Sequence, residues 1–275
     1  MHFAFIGAGN MAEAIARAVV KNELSAPAKI IVCDPAAERR QIFAALGIQT
    51  ATDNLSALSA PVIVLAVKPQ QMDAALTALA SDNRVADARV ADACIAEKLF
   101  ISIMAGVSTA TLEKRLAGRV MRVMPNLPIV GGAGMSAVAR GARATAADEE
   151  LTLRIFRAGG EAIALAEKHF DAVTAVSGSG PAYVFWLTEM MQTAAQKLGL
   201  PDDAAALLAR QTVVGAAKIL STTDLPPSVW RERVTSQGGT TAAALNYLAA
   251  NQTGDAVVAA IAAAAKRSAE LGKSN

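Results

Sequence analysis

A chain of 275 residues is longer than one domain usually runs, so two domains are the natural expectation. A hydrophobic fraction of 53% with 18% charge supports a large core and excludes a disordered chain. With 4% aromatic residues, abundant alanine and a dispersed net charge of +2, the composition favours closely packed helices over a β-sandwich. It offers no basic face for nucleic acid or an anionic membrane. Cys33 and Cys94 form no CxxC pair, so both read as buried thiols in a reducing compartment. The chain opens on an apolar strand with no basic segment ahead of it, so no signal peptide is expected. The bland segment Ala256–Ala265 lies between Asp255 and Lys266 and is too short to span a bilayer. A soluble, cytoplasmic protein is expected.

The first stretch, FAFIGAGNMAEAI over 3–15, organises the rest. An apolar strand runs through Ile6 into Gly7-Ala8-Gly9-Asn10-Met11-Ala12, and an amphipathic helix over about Met11–Lys21 follows at once. In this pattern Gly7 allows the tight turn, Gly9 lets the backbone approach a pyrophosphate, and Ala12 keeps helix and strand close. A plain small-residue turn is the bland alternative; the strand before and helix after it favour a dinucleotide fold. Lys29–Cys33 reads as a buried parallel strand ending at Asp34, 22 residues beyond Ala12, where a carboxylate commonly holds the adenosine ribose of NAD. Arg39 and Arg40 are placed to neutralise the 2′-phosphate of NADP, or simply to form a solvated helix face. Cofactor preference therefore stays open between NADPH and NADH.

Glu38–Leu46 reads as a short helix, Asp53-Asn54 as a turn, and PVIVLAV over 61–67 as another buried strand. That strand ends at Lys68-Pro69-Gln70, with Pro69 suited to a helix N1 position and a helix expected over Gln70–Ala80. Residues 81–98 are helical or loop-like without a secure division. LFISIM over 99–104 is the next strand, and Ala105-Gly106-Val107-Ser108 follows its carboxyl end. Ligands of open α/β sheets bind outside those ends, so 7–11, 66–69 and 105–107 should line one crevice. A helix over Thr109–Leu116 leads to a strand over Val120–Met124, and Pro125-Asn126-Leu127-Pro128 is too proline-rich to continue it. Met135–Ala139 and Glu161–Leu165 read as edge strands around a helix at about Asp148–Ala158.

From Pro181 the pattern is helical only: a helix with Val184, Leu187, Met191 and Leu198 at heptad-like spacing, ended by Gly199 and Pro201, then Asp203–Leu220, Pro227–Arg233, Thr240–Ala249 and Asp255–Leu271. About 110 alanine-rich residues with few large side chains make a weak isolated bundle, which points to a homodimer. The expectation is thus a Rossmann domain over 1–165 and a helical domain over 166–275 for dimerisation and substrate binding.

Two further stretches narrow the chemistry: DAVTAVSGSGPAY over 171–183 and VTSQGGTT over 234–241. With FIGAGNMAEAI, AVKPQ at 66–70, AGVS at 105–108 and RVMPNLP at 122–128, they resemble the pyrroline-5-carboxylate reductases, in order and across almost the whole chain. The resemblance implies NAD(P)H-dependent reduction of 1-pyrroline-5-carboxylate to L-proline, in a homodimer or ring of dimers. Carried over by motif, it implies cofactor contacts from Ile6, Gly7, Ala8, Gly9, Asn10, Met11, Asn54, Ala66, Val67, Lys68, Pro69, Ala105 and Gly106, with Asn126 near the nicotinamide. It also implies a substrate carboxylate held by Ser236, Gly238, Gly239, Thr240 and Thr241. The chain departs from the family's usual TSPGG at Gln237 and from its His-Pro pattern at Pro226-Pro227. Gln237 lacks the fixed φ of proline, yet the backbone N–H groups of the turn can still point at an anion.

The residues agree with that chemistry. Glycines beside hydroxyl residues suit a carboxylate pocket without arginine, although Thr235–Thr241 also reads as an ordinary capping loop. Ser177-Gly178-Ser179-Gly180-Pro181 reads as a tight crossing ahead of a helix, and Glu167 and Asp171 as supporting or capping groups. His2 and His169 belong to no triad or metal-spaced cluster, so no metal is expected. A cyclic imine is basic enough to arrive protonated, so hydride transfer to its carbon over about 3–3.5 Å asks mainly for positioning. Thr241 is the candidate to hydrogen-bond the ring nitrogen or donate its proton. Lys68 is the single motif-borne lysine, expected beside the cofactor largely through its backbone. A β-hydroxyacid or other imine reductase is the rival enzyme. The helix from Pro181 carries only Lys197, far from where such hydroxyacid enzymes need a lysine. A non-catalytic NAD(P)-binding regulator is the rival of another class.

Overall fold

The computed structural model describes residues 3–80 and 95–273. It divides into two compact units, Met1–Gly178 with Ala264–Asn275, and Ser179–Ala263. The sequence pattern places the division at 165/166; residues 264–275, which include the end of the final helix, group with the first unit.

The first unit is built on an eight-stranded sheet in the order β3-β2-β1-β4-β5-β6-β7-β8. The strands are β1 (Phe3–Ile6), β2 (Ile30–Cys33), β3 (Gln49–Ala51), β4 (Val62–Leu65), β5 (Leu99–Ser102), β6 (Arg119–Pro125), β7 (Gly134–Arg140) and β8 (Gly160–Ala164). All neighbours pair parallel except β6 and β7. Alternation assigns each strand's side chains to two cores. Phe3, Phe5, Val62, Val64, Leu99, Ile101, Met121 and Val123 face one side. Ala4, Ile6, Ile63, Leu65, Phe100 and Val120 face the other. The first face is covered by α1 (Asn10–Lys21) through Ile15 and Val19, and by α5 (Ala146–Arg157) through Leu153 and Phe156. The second is covered by α3 (Met72–Ala80) through Met72, Leu76 and Leu79, and by α4 (Thr109–Glu113) through Leu112. The short helix α2 (Ala37–Ala44) buries Phe43.

Several expectations are corrected. β3 is an additional strand; at three residues it carries no period to read. β7 lies inside the sheet, antiparallel to β6; of the two expected edge strands only β8 takes an edge, and β3 forms the other. Pro125 is the last residue of β6, opposite Ser136, and the chain then turns through Leu127–Gly131 in a 3-10 helix. Proline is tolerated at a strand end because the ladder needs no further donor there. Pro69 starts a single 3-10 turn, Pro69–Gln71, ahead of α3. The undivided segment lies, over 81–94, outside the described residues, and Cys94 with it.

The second unit contains α6 (Gly180–Lys197), α7 (Asp202–Ser221), α8 (Pro227–Arg233), α9 (Thr240–Ala250) and residues 253–263 of α10 (Thr253–Lys273). Of its hydrophobic residues only Ala205 and Ala209 are buried. Phe185, Trp186 and Leu187 on α6 are at least half exposed, and Tyr247 on α9 is 71% exposed. Among the described residues, no helix is long and apolar enough to cross a membrane.

Candidate active site

The Gly7–Met11 loop leaves β1 at the carboxyl end of the sheet. Gly7 has φ +98°, open only to glycine at low cost, and a Cβ there would stand 2.8 Å from the carbonyl of Ala66. The loop is sewn to both neighbouring strands: Gly7 N–H donates to Cys33 O at 2.8 Å, and Ala66 N–H to Ile6 O at 2.8 Å. Ile103 N–H donates to Leu65 O at 3.1 Å and carries the same stitching to β5. The structure therefore brings the loop against Ala66-Val67, with the segment after β5 on the next strand over. Gly9 is different: a Cβ there would meet nothing within 4 Å. It is the N-cap of α1, and no side chain caps that helix. The first-turn N–H groups are thus left without a side-chain acceptor beside a positive dipole end, a setting that fits a pyrophosphate.

The residues beyond β2 are drawn into the same loop. Asp34 accepts from Ala8 N–H at 2.7 Å with one carboxylate oxygen and from Ala36 N–H at 2.8 Å with the other. Arg39 donates from Nε to Ala8 O at 2.6 Å and pairs with Glu13 at 3.1 Å. Arg40 donates to the carbonyls of Asp34 and Pro35, both at 2.7 Å. These arginines are neither a solvated face nor free cations; they brace the turn a nucleotide would lie upon. Asn54 donates to Ala75 O on α3 at 3.4 Å. Burial first, and the Asp53 carboxylate second, push the Cys33 thiol up to about 12, against a backbone hydrogen bond involving Ala57.

Beyond β5, Gly106 turns with φ +74° and Ser108 caps α4, its Oγ accepting from Thr111 N–H at 3.0 Å. The end of α10 backs this turn: a Cβ on Gly272 would lie 3.3 Å from Gly106 O. Asn126 is nearly buried, and its amide is taken up by the protein. Oδ1 accepts from Met135 N–H at 2.8 Å, and Nδ2 donates to Ser177 O at 3.1 Å. Lys68 is exposed at the start of its 3-10 turn. Sequence reasoning missed Arg122 and Thr109. An arginine inside the apolar strand RVMRVM was the available signal, because a charge on a buried strand needs a partner.

In the second unit, Ser236–Gly239 forms a turn with Gly239 N–H donating to Ser236 O at 3.1 Å and Gly238 at φ +70°. A Cβ on Gly239 would lie 2.3 Å from Ser236 Oγ, so the serine side chain packs against the bare Gly239 backbone. Gly239 is also the N-cap of α9 and brings no side chain to its first N–H groups. Thr240 is exposed and Thr241 half-buried at this helix start. Gln237 is exposed and leaves the turn intact.

A glycine-hinged loop at the carboxyl ends of a parallel sheet, joined in sequence to a helical unit, defines a nicotinamide-dependent oxidoreductase of the Rossmann class. Residues 2–106 match the family model described as NADP oxidoreductase coenzyme F420-dependent, and residues 167–271 that described as pyrroline-5-carboxylate reductase dimerisation. The chain is 41% identical to a pyrroline-5-carboxylate reductase of Pseudomonas aeruginosa over 98% of its own length and 96% of the relative's. It is 37% identical to that of Arabidopsis thaliana over 98% and 95%. The solved reductase of Coxiella burnetii superposes with a TM-score of 0.85 at 34% identity, covering 98% of each chain. That of Plasmodium falciparum, solved with NADP bound, superposes at 0.84 and 26%, covering 99% of this chain and 98% of its own. The chain belongs to the pyrroline-5-carboxylate reductase family.

Proposed function

We propose that this protein reduces 1-pyrroline-5-carboxylate to L-proline with NADPH or NADH, an oxidoreduction at a CH–NH bond. The observation that carries the reading is the open, glycine-capped start of α1 beside the Ala66-Val67 backbone, in a chain that matches this family over nearly its full length. When bound, the reduced nicotinamide supplies a hydride. Gly9, Asn10 and Met11 hold the pyrophosphate through the backbone N–H groups at the start of α1, while Gly7 and Ala8, whose N–H groups go to Cys33 O and the Asp34 carboxylate, shape the turn it lies upon. Ala66–Pro69 and Ala105-Gly106 shape the nicotinamide side. Asn126 acts by pinning Met135 and Ser177 rather than by offering a free amide. In the helical unit, Ser236 and Gly238–Thr241 bind the carboxylate through the uncapped start of α9, and Thr241 presents its hydroxyl to the imine nitrogen. The iminium carbon accepts the hydride, and the amine product keeps the proton with which the imine arrived, so the protein has no large charge to neutralise.

The same reading makes the homodimer, and rings built from it, the working form, because the apolar surface of α6 and α9 is too large to leave to water. A cytoplasmic setting belongs to it as well, supported by the free, buried Cys33 thiol. Following NADPH absorbance with pyrroline-5-carboxylate tests the activity; cofactor binding without turnover would leave only a regulator. Thr241→Ala should keep cofactor affinity and lower turnover about 10–100-fold, the worth of one hydrogen bond to a charged group. Unchanged turnover would remove Thr241 from the mechanism.

A further inference from the structure

Thr109 opens α4 directly after the Ala105–Ser108 turn, and both of its donors go to one distant side chain. Its N–H reaches Glu167 Oε1 at 2.8 Å, and its Oγ1 donates to Glu167 Oε2 at 2.6 Å, across 58 positions of sequence. The carboxylate is in turn fixed by Arg122 on β6, whose Nη1 donates to Oε1 at 2.9 Å. Arg122 is itself held: its side chain is 9% exposed, and its guanidinium carbon lies 4.8 Å from the centre of the Phe170 ring. Ser108 already caps α4, so the helix does not need a second acceptor to exist. What Glu167 adds is a tie at the exit of the turn, whose Gly106 carbonyl also lies close to Gly272. Its cost is a charged pair partly removed from water, which calls for a return other than helix stability.

We infer that Glu167 and Arg122 are positioning residues: through Thr109 they hold the Ala105–Ser108 turn so that the nicotinamide is presented at a fixed distance to the imine. The inference rests on the reading of that turn as the nicotinamide side. Hydride transfer is steep in distance, so a loosened turn should depress the chemical step more than binding. Glu167→Ala strands a buried arginine and can unfold the unit; Thr109→Val removes one hydroxyl at nearly constant shape and is the cleaner variant.

Thr109→Val should bind NADPH within about threefold of the unchanged protein, judged by nicotinamide fluorescence, and keep KM for pyrroline-5-carboxylate within about threefold. Its kcat should fall about tenfold, equivalent to about 1.4 kcal/mol, and C4-deuterated NADPH should give a larger isotope effect. Thr109→Ser, which restores the hydroxyl, should recover kcat. Independently of turnover, NADPH should protect the amides of 103–112 from hydrogen exchange in the unchanged and Thr109→Ser proteins, and much less in Thr109→Val. A kcat that follows Tm across the variants, no rescue by serine, or equal protection in all three proteins would overturn the inference. If the unchanged protein shows that exchange pattern but never oxidises NADPH with the substrate, the functional reading fails and the clamp stands.

Discussion

The two units solve the problem of stability in opposite ways. In the first, six phenylalanines, Phe3, Phe5, Phe43, Phe100, Phe156 and Phe170, are essentially inaccessible, and distant loops are tied by side-chain hydrogen bonds such as Arg39 to Ala8 and Glu167 to Thr109. In the second, the buried apolar residues are two alanines, while Phe185, Trp186, Leu187 and Leu208 face outward. A sheet sandwiched by helices buries both its faces within one chain; a short alanine-rich bundle cannot. The contrast teaches that the first unit is finished by its own residues and the second by another copy of the chain.

The largest effect should come from a substitution that strikes the finished unit at its tightest point. Gly7→Val combines φ +98° with a Cβ 2.8 Å from the Ala66 carbonyl, so loop and strand must part. Steric and backbone terms together should cost about 3 kcal/mol or more, read as a drop in Tm of the sheet unit and loss of NADPH binding. A normal melting curve would show that the Gly7–Ala66 approach is not needed.

Next comes the unfinished unit. Leu187→Asp should leave secondary structure in place and convert dimer to monomer, measured by light scattering over a dilution series. A buried, unpaired carboxylate at an interface costs several kcal/mol, enough to move dissociation by a factor of about 100 or more. If the mass stays dimeric, this face of α6 is not the interface.

Much of this division was legible before any coordinates. The glycine loop, the strand ends and the change to helices at 180 all follow from period and turn chemistry, since each is a local property of adjacent residues. What stayed hidden depends on long-range pairing. Nothing in EKH announces that Glu167 reaches Thr109, and nothing in PNLP says that the Asn126 amide closes on Met135 and Ser177. β7 looked like an edge because antiparallel insertion beside β6 is a matter of topology, which a five-residue pattern does not encode. The arginines after β2 read as a solvated face or as phosphate partners; their hydrogen bonds to the Ala8 and Asp34 carbonyls need the folded loop to exist.

A smaller effect belongs to the cap of α5. Thr145 Oγ1 accepts from Asp148 N–H at 3.2 Å, while Asp148 accepts from Thr145 N–H at 2.8 Å, a reciprocal capping box. Thr145→Ala should cost about 1 kcal/mol, seen as a Tm shift of a few degrees at most in a chain this long. Because α5 packs on the sheet and α1, both within the first unit, the dimer dissociation constant should not move. A shift in dissociation would mean that the cap of α5 acts beyond its own unit.

The smallest change in stability, and the sharpest probe of the nucleotide loop, is Gly9→Ala. Its backbone, φ −69° and ψ 173°, is one that alanine adopts freely, and the added methyl group meets nothing in the chain. Two minor terms oppose each other: alanine caps a helix less well than glycine, while its stiffer unfolded chain favours folding by about 0.4–1 kcal/mol. Tm should therefore stay within about one degree of the unchanged protein, by the usual conversion of such a residual into temperature. NADPH binding should fall at least tenfold all the same, because the methyl group points into the space that a pyrophosphate must approach against bare backbone. Gly7→Val and Gly9→Ala then separate two duties of one motif, holding the turn and admitting the ligand. Titration of NADPH fluorescence alongside thermal melting reads both, and a Gly9→Ala protein that binds NADPH normally would mean that the cofactor does not cross this loop.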